Sequence, residues 1–324
     1  MAAATFKEKV TRGMAWNGGA TVMTRAFQAI VTIILARLLD PGDFGVVGMT
    51  TLVTGFVAMF TELGLVSAIV QADEVAPEQL NTVFWFGSAA GLVSWGLCAL
   101  LAPTIASFFH MSELALIVPV SAAGMAIGSL GLVHRALLSR RLDFRSVAFA
   151  DISAAVGFGV VAISGAFAGW GPWSLVAGGL AMITVRTAVV CARASWMPGL
   201  RSTWRGFGAL FSFGVKTLGV SMLGYMRGNV DYLVIGRFMG AAPLGQYTLA
   251  FKIADFPRAR ITPIFTAVAF PAFSSVRSAT DMVRRGYLRG VRLVSLIVFP
   301  LLTGAALLAY EIVVVVYGQK WLPA

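Results

Sequence analysis

Apolar runs long enough to cross a bilayer recur along the whole chain. A helix rises about 1.5 Å per residue, so roughly 20 apolar residues cross a hydrocarbon core about 30 Å thick. By that rule the sequence predicts about nine spans, over residues 14–38, 44–70, 80–102, 114–137, 147–167, 173–193, 214–239, 244–270 and 291–317. A transmembrane barrel would instead alternate apolar and polar residues in segments of about 10, and the chain has no such stretches. The pattern therefore predicts an all-α integral membrane protein. The first run follows Lys7, Lys9 and Arg12 and outlasts the 7–15 apolar residues of a signal peptide, so it reads as a span.

Composition agrees with the pattern. Of 324 residues 58% are hydrophobic and 12% charged, against about 25% charged in a water-soluble globule. The net charge of +11 does not signal nucleic acid, because the arginines sit between apolar runs rather than on one solvated face. Cys98 and Cys191 fall inside apolar runs and read as packing residues, not as a disulfide or metal framework.

Basic residues collect near alternate span ends: Lys7, Lys9 and Arg12; Arg135, Arg140, Arg141 and Arg145; Arg193, Arg201 and Arg205; Arg277, Arg284, Arg285 and Arg289. Cytoplasmic loops retain positive charge, so this side, with the N-terminus, is expected to be cytoplasmic. An internal repeat appears at an offset of 200 residues, where Leu35-Ala36-Arg37-Leu38-Leu39 meets Ile235-Gly236-Arg237-Phe238-Met239 and Phe44-Gly45 meets Leu244-Gly245. Six expected spans separate the copies. An even number puts both copies in the same orientation, related by an axis along the membrane normal. The expectation is two lobes with a cleft between them: residues 1–200 with six spans, and residues 201–324 as a partial second lobe with three.

Charges inside spans are the candidate chemistry. Arg, Lys or Asp at a span centre costs about 2.5–3.5 kcal/mol on insertion scales and must face protein, water or a partner. Arg25 lies mid-span, with Asn17, Thr21, Gln28 and Thr32 at helical spacing beside it. Arg227 and Asp231 lie four apart within Gly224-x-x-x-Gly228, a small-residue pattern that lets helices approach. Lys252, Asp255, Arg258 and Arg260 share a span interrupted by Pro257 and Pro263. One reading makes these structural ion pairs: Arg227 with Asp231, Lys252 with Asp255, and Glu62 with a neighbouring cation. The other makes Arg25, Gln28, Arg227, Lys252 and Arg258 a cationic substrate site, since the forked guanidinium suits phosphate. Glu62, Asp231 and Asp255 are then the carboxylates available for ion coupling. Lys216, Asp151, Arg186 and Arg193 read as snorkelling anchors on the cytoplasmic side. Metal-ligand spacings, Gly-x-Ser-x-Gly and phosphate-cradling loops are all missing from the sequence, which argues against an enzyme.

Several stretches resemble the polysaccharide transporter branch of the multidrug/oligosaccharidyl-lipid/polysaccharide exporter superfamily, the Wzx-like oligosaccharide flippases. They are Ile34-Leu35-Ala36-Arg37-Leu38-Leu39-Asp40-Pro41-Gly42-Asp43-Phe44-Gly45, Glu62-Leu63-Gly64-Leu65, Leu80-Asn81-Thr82-Val83-Phe84-Trp85, Arg140-Arg141-Leu142-Asp143-Phe144-Arg145, Phe270-Pro271-Ala272-Phe273-Ser274 and Gly318-Gln319-Lys320-Trp321-Leu322-Pro323. The resemblance implies a two-lobed, MATE-like bundle of twelve to fourteen spans, of which this chain carries about nine, leaving the second lobe incomplete. It also implies alternating access that moves a polyprenyl-pyrophosphate-linked oligosaccharide to the outer leaflet of a bacterial inner membrane, without a cofactor. The lipid-linked oligosaccharide and the bilayer are the implied partners, with a polysaccharide polymerase and export machinery beyond them. Two rivals remain: a multidrug or cation exporter of the same superfamily, and a membrane polymerase or ligase of glycan assembly.

Overall fold

The computed structural model describes residues 2–62, 69, 75–199, 201, 203, 207–255 and 280–324. Every regular element among them is helical, as expected where lipid leaves no water to satisfy backbone groups. The helices are α1 (Ala2–Leu38), α2 (Pro41–Glu62), α3 (Pro77–Phe109), α4 (Leu114–Leu130), α5 (Leu132–Arg140), α6 (Phe144–Phe167), α7 (Pro172–Arg193), α8 (Phe207–Phe238), α9 (residues 241–255) and α10 (Thr280–Leu307). Among the described residues six helices are long and apolar enough to span a bilayer, or seven if the α4–α5 pair, bent by 44°, is one broken span. The multi-pass architecture is as expected, but the count of nine is not reproduced. The expected eighth span, 244–270, leaves the described residues after 255.

The chain forms two compact units, Met1–Leu244 and Gly245–Ala324. The core of the first lies where α2, α3 and α4 meet, around Met49, Leu52, Cys98, Ile117, Val118 and Ala122. Small residues set the close approaches. A Cβ on Gly91 of α3 would stand 2.6 Å from Ser129 Oγ of α4, and one on Gly178 of α7 would stand 2.7 Å from Ala162 Cβ of α6. Gly224 and Gly228 behave differently: among the described residues nothing lies within 4 Å of a Cβ at either position. The contact expected from that motif is not made there.

The motif residues work at helix junctions. In the α1–α2 corner Pro41 opens α2, and the Asp40 backbone N–H donates to Asp43 Oδ2 at 2.9 Å, satisfying a donor that the new helix leaves unpaired. A Cβ on Gly45 would stand 1.8 Å from the Ala241 carbonyl oxygen, so only glycine fits. At the α5–α6 corner Arg140 Nη1 donates to the Ile69 carbonyl at 2.9 Å, and Arg141 Nη1 to the Ala194 carbonyl, just past the end of α7, at 3.0 Å. Cations at a helix C-terminus also complement its dipole. Asp143 caps α6 by accepting from the Ser146 N–H at 3.1 Å.

The Leu80-Asn81-Thr82-Val83-Phe84-Trp85 stretch at the start of α3 holds the segment that follows α7. Asn81 donates to the Arg201 carbonyl at 2.8 Å and accepts from the Gly199 N–H at 2.9 Å. Thr82 Oγ1 bonds both the N–H and the carbonyl of Thr203, and Trp85 Nε1 donates to the Gly199 carbonyl at 3.0 Å. Phe84 and His134 meet Trp196 edge-on. Both Asn81 and Thr82 are buried, so these bonds replace the ones water would otherwise make.

Candidate functional site

Arg25 lies on the face of α1 turned towards α6, and it is exposed. With Thr21, Thr24 and Gln28 it lines a cavity of about 210 Å³ whose other walls carry Arg135, Asp151 and Arg186. Of the polar stripe expected along α1, Thr21, Arg25 and Gln28 face this space, the side chain of Asn17 lies outside the described residues, and Thr32 Oγ1 donates back to the Gln28 carbonyl at 2.8 Å. Asp151 on α6 pairs with two guanidiniums, Arg186 of α7 at 3.1 Å and Arg135 of α5 at 3.6 Å. Arg25 makes no ion pair among the described residues. Among the described residues, three guanidiniums and one carboxylate line the cavity. Such a surplus is tolerable in an apolar bundle only where water or an anion reaches it.

A second compartment of about 330 Å³ adjoins the first and shares Arg135 and Arg186 with it. It lies between α2, α4 and α7, and its walls mix hydroxyls and glycines with the apolar side chains of Met125, Leu132, Ile183 and Val190. Across α2 lies a third space, about 930 Å³, an open groove bounded by α2, α3 and α8 and lined mainly by aliphatic and aromatic side chains. Thr51, Thr54, Gly55 and Ala58 face the polar compartment, whereas Leu52, Val53, Phe56, Val57 and Phe60 face the apolar one. Both sets follow helical spacing on opposite sides of one rod. Tyr225 of α8 seals the boundary by donating to the Leu52 carbonyl at 2.8 Å.

Arg227 is exposed and Asp231 half-buried on α8, and no ion pair joins them. Their face of α8 differs from the one formed by Tyr225, Met226, Asn229, Val230 and Leu233 along the apolar space. Lys252 is exposed and Asp255 half-buried on α9 of the second unit. Arg258 and the side chain of Glu62 lie outside the described residues. Arg193, expected as an anchor, stacks over the Phe149 ring at 4.5 Å.

Arg135, Asp151 and Arg186 were not expected at the cavity. Arg135 read as a loop cation, the other two as anchors. A usable signal was present. Asp151 lies seven residues after the start of α6 at Phe144, and Arg186 seven before the end of α7 at Arg193. In an antiparallel hairpin with a short connection those positions share a depth, so a carboxylate and a guanidinium are placed to meet.

The comparisons with known proteins agree with this architecture. A family model described as "Polysaccharide biosynthesis protein" matches residues 34–324. The chain belongs to this family. It is 30% identical over 323 residues to the teichuronic acid biosynthesis protein TuaB of Bacillus subtilis, covering 99% of this chain and 67% of the relative. It is 27% identical to the lipopolysaccharide biosynthesis protein WzxC of Escherichia coli, covering 98% and 65%, and 27% identical to the succinoglycan biosynthesis transport protein ExoT of Rhizobium meliloti, covering 96% and 63%. The chain spans about two thirds of the length of these curated relatives. No solved structure matches it. Membership in the polysaccharide biosynthesis family accords with the Wzx-like resemblance of the motifs.

Proposed function

We propose that this family member moves a polyprenyl-pyrophosphate-linked oligosaccharide, a repeat unit of exopolysaccharide, O-antigen or capsule, across the cytoplasmic membrane by alternating access. The observation that carries this reading is the cavity where Arg25, Arg135 and Arg186 outnumber Asp151. A pyrophosphate is doubly anionic and matches that surplus through charge-assisted, forked hydrogen bonds. The polar and apolar faces of α2 suit an amphiphilic cargo. The names of TuaB, WzxC and ExoT support the pathway. In this reading Arg227, Lys252 and Arg258 are further substrate-binding residues. Glu62, Asp231 and Asp255 are the carboxylates through which an ion gradient acts. The N-terminus is cytoplasmic, and polymerase and export machinery receive the product. The protein forms no covalent bond with its cargo.

A cation exporter would need an acidic chamber, and the charge around Arg25 has the opposite sign. The test is transbilayer movement of a fluorescent polyprenyl-pyrophosphoryl sugar in reconstituted vesicles. Arg25→Gln and Arg186→Gln are expected to slow it by roughly tenfold or more, as loss of a charge-assisted contact costs about 1.5–3 kcal/mol. Unchanged movement at equal protein density would overturn the assignment, and movement of a cationic dye in its place would favour the exporter.

A further inference from the structure

We infer that the hydroxyl-lined compartment between α2, α4 and α7 is a sugar subsite that holds the first pyranose attached to the pyrophosphate. This rests on the proposed function, since it takes the neighbouring cavity as the pyrophosphate position. The two spaces share Arg135 and Arg186. A group bonded to an anion held by those guanidiniums therefore emerges into the second compartment. Its volume of about 330 Å³ falls in the roughly 300–1,000 Å³ range of small-molecule sites.

The chemistry of the walls selects a polyol. Thr51, Thr54 and Ser129 each donate to a carbonyl of their own helix, at 2.8, 2.9 and 2.8 Å. Their protons are committed, and their oxygens present lone pairs to the compartment. Ser121 and Thr187 make no hydrogen bond among the described residues and can donate or accept. Arg135 and Arg186 only donate. A sugar hydroxyl donates and accepts at once, so a ring of hydroxyls satisfies this mixed set, while the C–H faces of a pyranose fit the apolar walls at Met125, Leu132, Ile183 and Val190. Glycines let the α4–α5 pair approach α7 closely beside the compartment. A Cβ on Gly124 would lie 2.6 Å from Ile183 Cδ1, and one on Gly131 3.2 Å from Val190 Cγ2.

The experiment measures binding of undecaprenyl pyrophosphate, and of its glucosyl and galactosyl derivatives, to the full chain in nanodiscs. Thr54→Leu and Ser121→Leu fill the compartment. They are expected to weaken binding of at least one glycosylated lipid by about tenfold or more, because a site built to pair hydroxyls rejects ligands it cannot pair, while undecaprenyl pyrophosphate binding changes less than about twofold. The milder Ser121→Ala should weaken the same glycosylated lipid about threefold, one neutral hydrogen bond's worth. Equal losses for all three lipids, or none for either glycosylated lipid, would overturn the subsite. Binding of undecaprenyl pyrophosphate that is absent in the unaltered chain, or indifferent to Arg25→Gln and Arg186→Gln, would instead defeat the proposed function beneath it.

Discussion

The two sides of α2 face different surroundings. One side looks onto two serines, Thr187 and two arginines set among apolar residues; the other looks almost wholly onto phenylalanines, leucines and valines. The backbone, depth and helix are the same, and only the four-residue stagger of side chains separates them. In a soluble protein such an amphipathic rod would have one face in water. Here α3 and α8 cover the apolar face, and the polar face opens onto a charged chamber. The difference shows that side-chain polarity along α2 follows which cavity a position faces, not distance from the ends of the span.

The largest effect should come from placing one charge on either side of that rod. Leu97→Asp, on the apolar side, is expected to cost about 2.5–3.5 kcal/mol of insertion and folding, read as lost membrane-integrated protein and a lower melting temperature. Thr54→Asp, facing Arg135 and Arg186, should cost less than about 1 kcal/mol, since a cation lies at hand. Equal costs would dissolve the contrast. The clasp on the segment after α7 comes next. Asn81→Ala with Thr82→Val removes bonds to Gly199, Arg201 and Thr203, at about 1 kcal/mol per bond. Proteolysis between 199 and 203 should accelerate by more than about tenfold; no acceleration would show that the clasp does not restrain the segment.

Smaller effects sharpen the picture of the charged chamber. Asp151→Asn should lower stability by about 1–2 kcal/mol, between the values for exposed and buried pairs, because its ion pairs are roughly one-third exposed. The same change frees Arg135 and Arg186, so binding of inorganic pyrophosphate should strengthen; weaker binding would mean that Asp151 orients the arginines for the anion. Gly171, at φ 53°, opens α7 opposite Asp43. Gly171→Ala should cost about 1 kcal/mol of backbone strain and shift the melting temperature by a few degrees without altering pyrophosphate binding.

Much of this was legible in the chain. Length and apolarity dictate helices in lipid, and the stripe of Thr21, Arg25 and Gln28 follows from helical period. Junction motifs such as Asp40-Pro41-Gly42-Asp43 announce their own caps. The role of Asn81 and Thr82 was not legible, because their partners lie more than 100 residues away. The grouping of Arg25 with Arg135, Asp151 and Arg186 was hidden for a related reason. Near a span end an arginine reads as a loop cation or an anchor until the facing helix is known.

The sequence by itself determined that the protein is helical, membrane-embedded, rich in basic residues and of the polysaccharide biosynthesis family, since these depend on local composition, period and motif order. Only the tertiary structure decided which charges share a space, and that α2 divides a polar compartment from an apolar one. Those facts depend on the rotation and depth at which neighbouring helices pack, and a one-dimensional pattern carries neither.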